Sequence, residues 1–149
     1  MNSDAQWLVV LRRYFLASLF GHTLWELFQL PLYTIWTDGS VHQIAVAVVH
    51  CIAGDMSIAA STLVLPLIIL GQGWPRKHST YFWVASCAVF LGVVYTIYSE
   101  WMNVSVRANW AYSPLMPVLP PLGTGLSPLL QWILVPAAAF LWAKPTSRM

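Results

Sequence analysis

Four apolar stretches, at about 12–36, 43–70, 80–102 and 126–143, decide what this chain can fold into. Each is close to or above the roughly 20 residues that an α-helix needs to cross a bilayer core. Hydrocarbon offers the backbone no hydrogen-bond partner, so each stretch reads as a helix. Only 8% of the 149 residues are charged, against about 25% in an ordinary soluble domain. The expected fold is all-α: a polytopic membrane protein, a four-transmembrane-helix bundle, built as one integral domain over 1–149. Arg12 and Arg13 precede the first stretch as in a signal peptide, but the run is long and lacks a small-residue cleavage site. It reads as a retained span.

Basic residues set the expected orientation. Arg12, Arg13, Arg76, Lys77, Lys144 and Arg148 flank one set of ends, and Arg107 stands alone on the other. By the positive-inside rule both termini and the 71–79 turn are cytoplasmic. Aromatic residues cluster at both sets of ends, as an interfacial belt does. The net charge of +2 is small and its sources are scattered, so no nucleic-acid partner is expected. Cys51 and Cys87 lack CxxC spacing and read as free thiols.

The first span carries a burden the others do not. Glu26 near a helix centre costs about 2.5–3.5 kcal/mol on insertion scales, and each Leu or Phe returns only about 0.3–0.6. His22, Glu26 and Gln29 are spaced four and three apart, so they share one face. That face points into protein or a wet cavity, not into lipid. Pro31 is expected to interrupt the span and free the Leu27 carbonyl. The plainer alternative is that His22 and Glu26 satisfy each other and tie helices together.

Counting about 1.5 Å per residue brings several polar groups to a common depth. His22, Glu26 and His50 fall in the outer half, below Glu100, His42 and Gln131. His50 and Asp55 lie about 140° apart around their helix and cannot share one centre. Asp55 is therefore assigned to Ser or Thr hydroxyls or to a cytoplasmic cavity, and Asp55→Asn is expected to matter less than Glu26→Gln. The 103–125 connection, NVSVRANWAYSPLMPVLPPLGTG, is aromatic and Pro-rich. It is expected to pack over the outer mouth; resting on headgroups is the plainer alternative.

Three chemistries fit these residues. His22, Glu26, His50 and Glu100 suit a divalent metal such as zinc, iron or manganese, although no HExxH or ExxH signature is present. Glu26 and Glu100 suit acid–base work on a lipid-soluble substrate, with Trp25, Gln29, Trp101, Trp110 and Gln131 as binding residues. His22 and His50 could also ligate a b-type haem. A non-catalytic role, as an accessory subunit of an oligomer or membrane complex, or as a carrier of a proton or ion, stays open beside them.

Two resemblances attach to these residues. His22-xxx-Glu26 on one span with Glu100 on a later one resembles the arrangement in sterol isomerase (emopamil-binding) proteins. That likeness implies double-bond migration by His and Glu, on three matching residues and with four spans in place of five. WELFQLPLY from Trp25, HCIAGD from His50 and SEWMNV…WAYSPLMP from Ser99 resemble a family of small four-span bacterial inner-membrane proteins with no assigned activity. That likeness implies a bacterial inner-membrane location and assigns no site.

Overall fold

A computed structural model describes residues 3–121 and 123–145. The fold is all-α. Helix α1 (Ser3–Gln29) leads through a 3-10 turn at Leu30–Leu32 and a short α2 (Ile35–Asp38) into α3 (Val41–Leu70). Then come α4 (His78–Glu100), a π-helical turn at Trp101–Val106, a two-residue hairpin and α5 (Leu126–Ala143). The hairpin pairs β1 (Val118–Leu119) with β2 (Thr124–Gly125).

Local chemistry sets these boundaries. Pro31 has no N–H and disfavours the α conformation in the residue before it. Helix α1 accordingly ends at Gln29, rather than running to residue 36 with Pro31 inside it. The chain then turns extended at Tyr33, which bridges to Tyr112. Ser40 and Gln43 form a reciprocal capping box at the start of α3. Gln43, polar inside an expected span, is thereby accounted for as a cap. Gly71 closes α3 through its N–H to the Leu67 carbonyl.

The four long helices alternate in direction. At one end, Trp7 Nε1 donates to the Trp74 carbonyl at 3.0 Å and Lys144 Nζ lies 3.4 Å from His78 Nε2. At the other, Ser113 N donates to Leu32 O and Ser113 Oγ to Pro31 O, each at 2.9 Å. We call these the terminal end and the loop end. The 101–125 connection packs across the loop end, as those bonds show.

Among the described residues three helices are long and apolar enough to cross a membrane: Val41–Leu70, His78–Val106 and Leu126–Ala143. Helix α1 falls short because Arg12, Arg13, His22, Glu26 and Gln29 lower its hydropathy. Its apolar residues still face outward, with Leu16, Phe20, Leu24 and Phe28 exposed. Arg148, which entered the charge count above, lies outside the described residues.

The bundle is divided along its length. Its terminal half holds a hydrophobic core of Val10, Tyr14, Leu63, Val84 and Phe140. Small residues allow the helices to close: a side chain at Gly92 would overlap the Trp132 ring, and one at Gly21 would lie 2.7 Å from Val135 Cγ1. The loop half holds the buried Glu26, Gln29, Asp55, Glu100 and Gln131, with His22 at its lower edge.

Candidate functional site

The polar cluster is best followed from its one unambiguous donor. The Trp25 indole N–H can only donate, and it reaches Ser127 Oγ on α5 at 3.1 Å. Ser127 then donates to Gln29 Oε1 at 2.9 Å. This fixes the Gln29 amide, whose Nε2 donates to Glu26 Oε1 at 2.8 Å and to Gln131 Oε1 at 3.3 Å. The Gln131 oxygen is therefore an acceptor, and its nitrogen must face the other way.

Three acceptors converge on that nitrogen. His22 Nδ1 lies 3.0 Å from Gln131 Nε2, Glu26 Oε1 3.1 Å and Asp55 Oδ2 3.0 Å. An amide nitrogen carries two hydrogens. Its two hydrogens serve three acceptors, so one of them is shared between two acceptors. His22 Nδ1 also stands 3.5 Å from Asp55 Oδ2. All of this is buried: His22 is 0% exposed, Gln131 2%, Gln29 5%, and Glu26 and Asp55 8% each. The His22 ring packs on Trp132, with centroids 4.9 Å apart. Among the described residues no Lys or Arg nitrogen comes within 4.0 Å of a carboxylate oxygen.

Above the cluster a cavity of about 690 Å³ runs up to the loop end. Glu26, Asp55 and Glu100 line it, with Tyr33, Tyr95, Trp110 and Trp132 as aromatic wall. Arg107 is the one Lys or Arg along its wall. Tyr112 donates a short hydrogen bond to Glu100 and accepts one from Gly125 N at 2.9 Å. Burial and the Glu100 charge push the Tyr112 phenol above its ordinary range, so it stays a donor. A second, larger space of about 860 Å³ is an apolar groove between α1 and α5. No titratable side chain lines it, so the chemistry belongs to the first cavity.

The expected site is partly assembled. His22, Glu26, Gln29 and Gln131 come together, and Glu100 and Trp110 share the cavity above them. Trp25 holds the network from its edge. Trp101 does not take part: it sits 45% exposed on the π-helical turn and is not on the cavity wall. His50 lies exposed at the cavity rim, away from His22's partners. The expected quartet of His22, Glu26, His50 and Glu100 is thus not one ligand set. Among the described residues no group of three or more His, Cys, Asp or Glu side chains is placed to hold a metal ion. The pairing of His22 with His50 needed for a haem is likewise not formed.

Asp55 is the main correction. The angular argument that His50 and Asp55 cannot share a centre holds, but it is Asp55 that faces inward. Its helix is rotated relative to the reading that favoured His50. A signal was present: Ala59, Thr62, Leu63 and Pro66, the buried positions of α3, lie on the face that Asp55 continues. Ser127 and Trp132 gave no comparable signal, because hydroxyls and indoles are common in such helices for other reasons.

Comparison with family models, with curated proteins and with solved structures finds no match to this chain. The site is therefore read from its own chemistry.

Proposed function

We propose that this chain is a four-span protein of the bacterial inner membrane, with both termini cytoplasmic, whose buried cluster holds a proton beneath a cavity for a small lipid-soluble cation. The observation that carries the reading is the charge of the cavity: Glu26, Asp55, Glu100 and, exposed on its wall, Asp38 against Arg107 alone. An intramembrane site of that composition is costly unless positive charge comes to it. The close approach of His22, Glu26 and Asp55 around Gln131, with no Lys or Arg beside them, favours a proton held among the three. A ligand cation above it meets Glu100 and the faces of Tyr95 and Trp110.

The four-span count draws on the outward apolar face of α1 and on Arg12 and Arg13 near its start. A helix with that face and a buried polar stripe belongs inside a bundle and against lipid at once. The isomerase-like reading uses the same cavity, with Glu26 and Glu100 as the acid and base on its walls.

Ligand class is testable by thermal unfolding of detergent-purified protein with a long-chain amine, its neutral alcohol and its carboxylic acid. At about 100 times its dissociation constant a ligand adds about 2.7 kcal/mol, or roughly 5–10 °C for a chain of this size. The amine is expected to raise the melting temperature and the other two are not. Glu26→Gln is expected to insert as well as the wild type and to lose the shift. Equal shifts with amine and alcohol would remove the charge argument.

A further inference from the structure

Three buried polar atoms without a hydrogen-bond partner stand in line along α1: Tyr14 Oη, Ser18 Oγ and His22 Nε2. Their residues are 1%, 0% and 0% exposed. Six such side-chain atoms occur among the described residues, and half of them fall on this one stripe. Isolated buried polar atoms cost about 1–3 kcal/mol each and are usually avoided. Three at a spacing of four residues are neighbours on one helix face, so the cost is concentrated along a line. The line covers about 12 Å of helix rise from Tyr14 to His22. It passes through the terminal half, where the other buried hydroxyls already have partners: Tyr81 donates to the Phe140 carbonyl, Thr62 to the Ile58 carbonyl and Thr80 to the Gln72 carbonyl. It ends at His22, which stands 3.5 Å from Asp55.

From this we infer that Tyr14, Ser18 and His22 form a proton path between the terminal end of the bundle and the Asp55–Glu26–Gln131 cluster. The inference rests on the reading that the cluster holds a proton, and adds how that proton passes to the terminal end. With the cavity open at the loop end, the cluster is reached from both sides, and the protein carries protons across the membrane.

The transfer balances. The protonated cluster gives the Asp55 Oδ2 proton to the Nδ1 lone pair of His22, and the ring releases its Nε2 proton toward Ser18. Ser18 takes that proton and gives its own toward Tyr14, directly or through one water, and Tyr14 does the same toward the terminal side. One carboxylic acid becomes a carboxylate, both hydroxyls end as they began, and the ring has exchanged tautomers. Reprotonation of the carboxylate from the cavity and return of the ring to its first tautomer complete the cycle. The groups facing this path are Phe15 and Phe140 at Tyr14, and Trp132, Gln131, Glu26 and Asp55 at His22. Tyr81 lies beside Phe140. No Lys or Arg is among them.

The test is proton flux into phosphatidylcholine–phosphatidylglycerol liposomes holding the purified full chain and an internal pH dye, driven by a valinomycin-set potassium potential. Wild type is expected to acidify at least tenfold faster than protein-free liposomes. Ser18→Ala, which removes one oxygen, and Tyr14→Phe are expected to lose at least nine-tenths of that flux. Ser18→Thr, which keeps the hydroxyl, is expected to retain it. Wild-type flux no faster than protein-free liposomes would overturn the path, as would full flux through a well-folded Ser18→Ala. Infrared detection of a protonated carboxyl separates the two levels. If the acid band persists while flux is absent, the path is wrong and the proton-holding cluster stands. If the band is absent as well, the cluster reading fails with it.

Discussion

Gln131→Leu is expected to be the most damaging single substitution in this protein. It removes both amide hydrogens from His22, Glu26 and Asp55, and the oxygen that accepts from Gln29. Hydrogen bonds to charged groups contribute about 1.5–3 kcal/mol each, and a stranded buried acceptor keeps its desolvation penalty. Two such bonds come to about 3–6 kcal/mol, a large share of the 5–15 kcal/mol by which proteins of this kind are held folded. The expected result is a steep fall in monodisperse protein after detergent extraction and a melting temperature too low to purify around. Adding Asp55→Ala to Gln131→Leu should recover part of the loss, because one stranded acceptor is gone. A Gln131→Leu protein that melts with the wild type would mean that its amide is not the centre of the cluster.

Tyr112→Phe is the second large effect, and it acts at the other end of the cavity. The Tyr112 hydroxyl joins Glu100 on α4 to the Gly125 N–H at the start of α5, and its backbone bridges Tyr33 beyond α1. One oxygen thereby ties two helix ends under the connecting loop, and the backbone of the same residue ties a third. Losing the bond to Glu100 costs about 1.5–3 kcal/mol, and each 1.4 kcal/mol is a factor of ten. Amide exchange at Gly125 is expected to accelerate roughly ten- to hundredfold, with faster proteolysis between residues 101 and 125. Exchange unchanged from wild type would show that the loop is held by Ser113 and the hairpin instead.

Much of the fold was legible because hydropathy reports directly on burial in lipid. The bounds of α3 and α5 follow the apolar runs to within two residues. Helix α1 did not, for two reasons of local chemistry. Pro31 ends the helix two residues before itself, and the polar residues that made α1 interesting also reduce its apolarity below that of the other three. Within the site, the face shared by His22, Glu26 and Gln29 was visible from spacing alone, and Gln131 from depth. Asp55 was not, because depth counting places a residue along a helix and says nothing of rotation around it. A five-residue separation forced a choice between His50 and Asp55, and only packing of the α3 face on α4 and α1 decides it. Tyr14 and Ser18 could not be singled out either: a Tyr or a Ser in a span is ordinary, and its meaning appears only when neighbouring polar atoms are seen to lack partners.

The central claim is that a proton resides among His22, Glu26 and Asp55. Infrared spectroscopy of the purified protein at neutral pH, in light and heavy water, addresses it most directly. A buried carboxylic acid gives a C=O band that shifts on deuteration and that ionised carboxylates lack. The account predicts one such band in the wild type, removed or displaced by Asp55→Asn and by Glu26→Gln and untouched by the exposed Asp38→Asn. A wild-type spectrum with every carboxyl ionised, or a band lost only with Asp38, would contradict it.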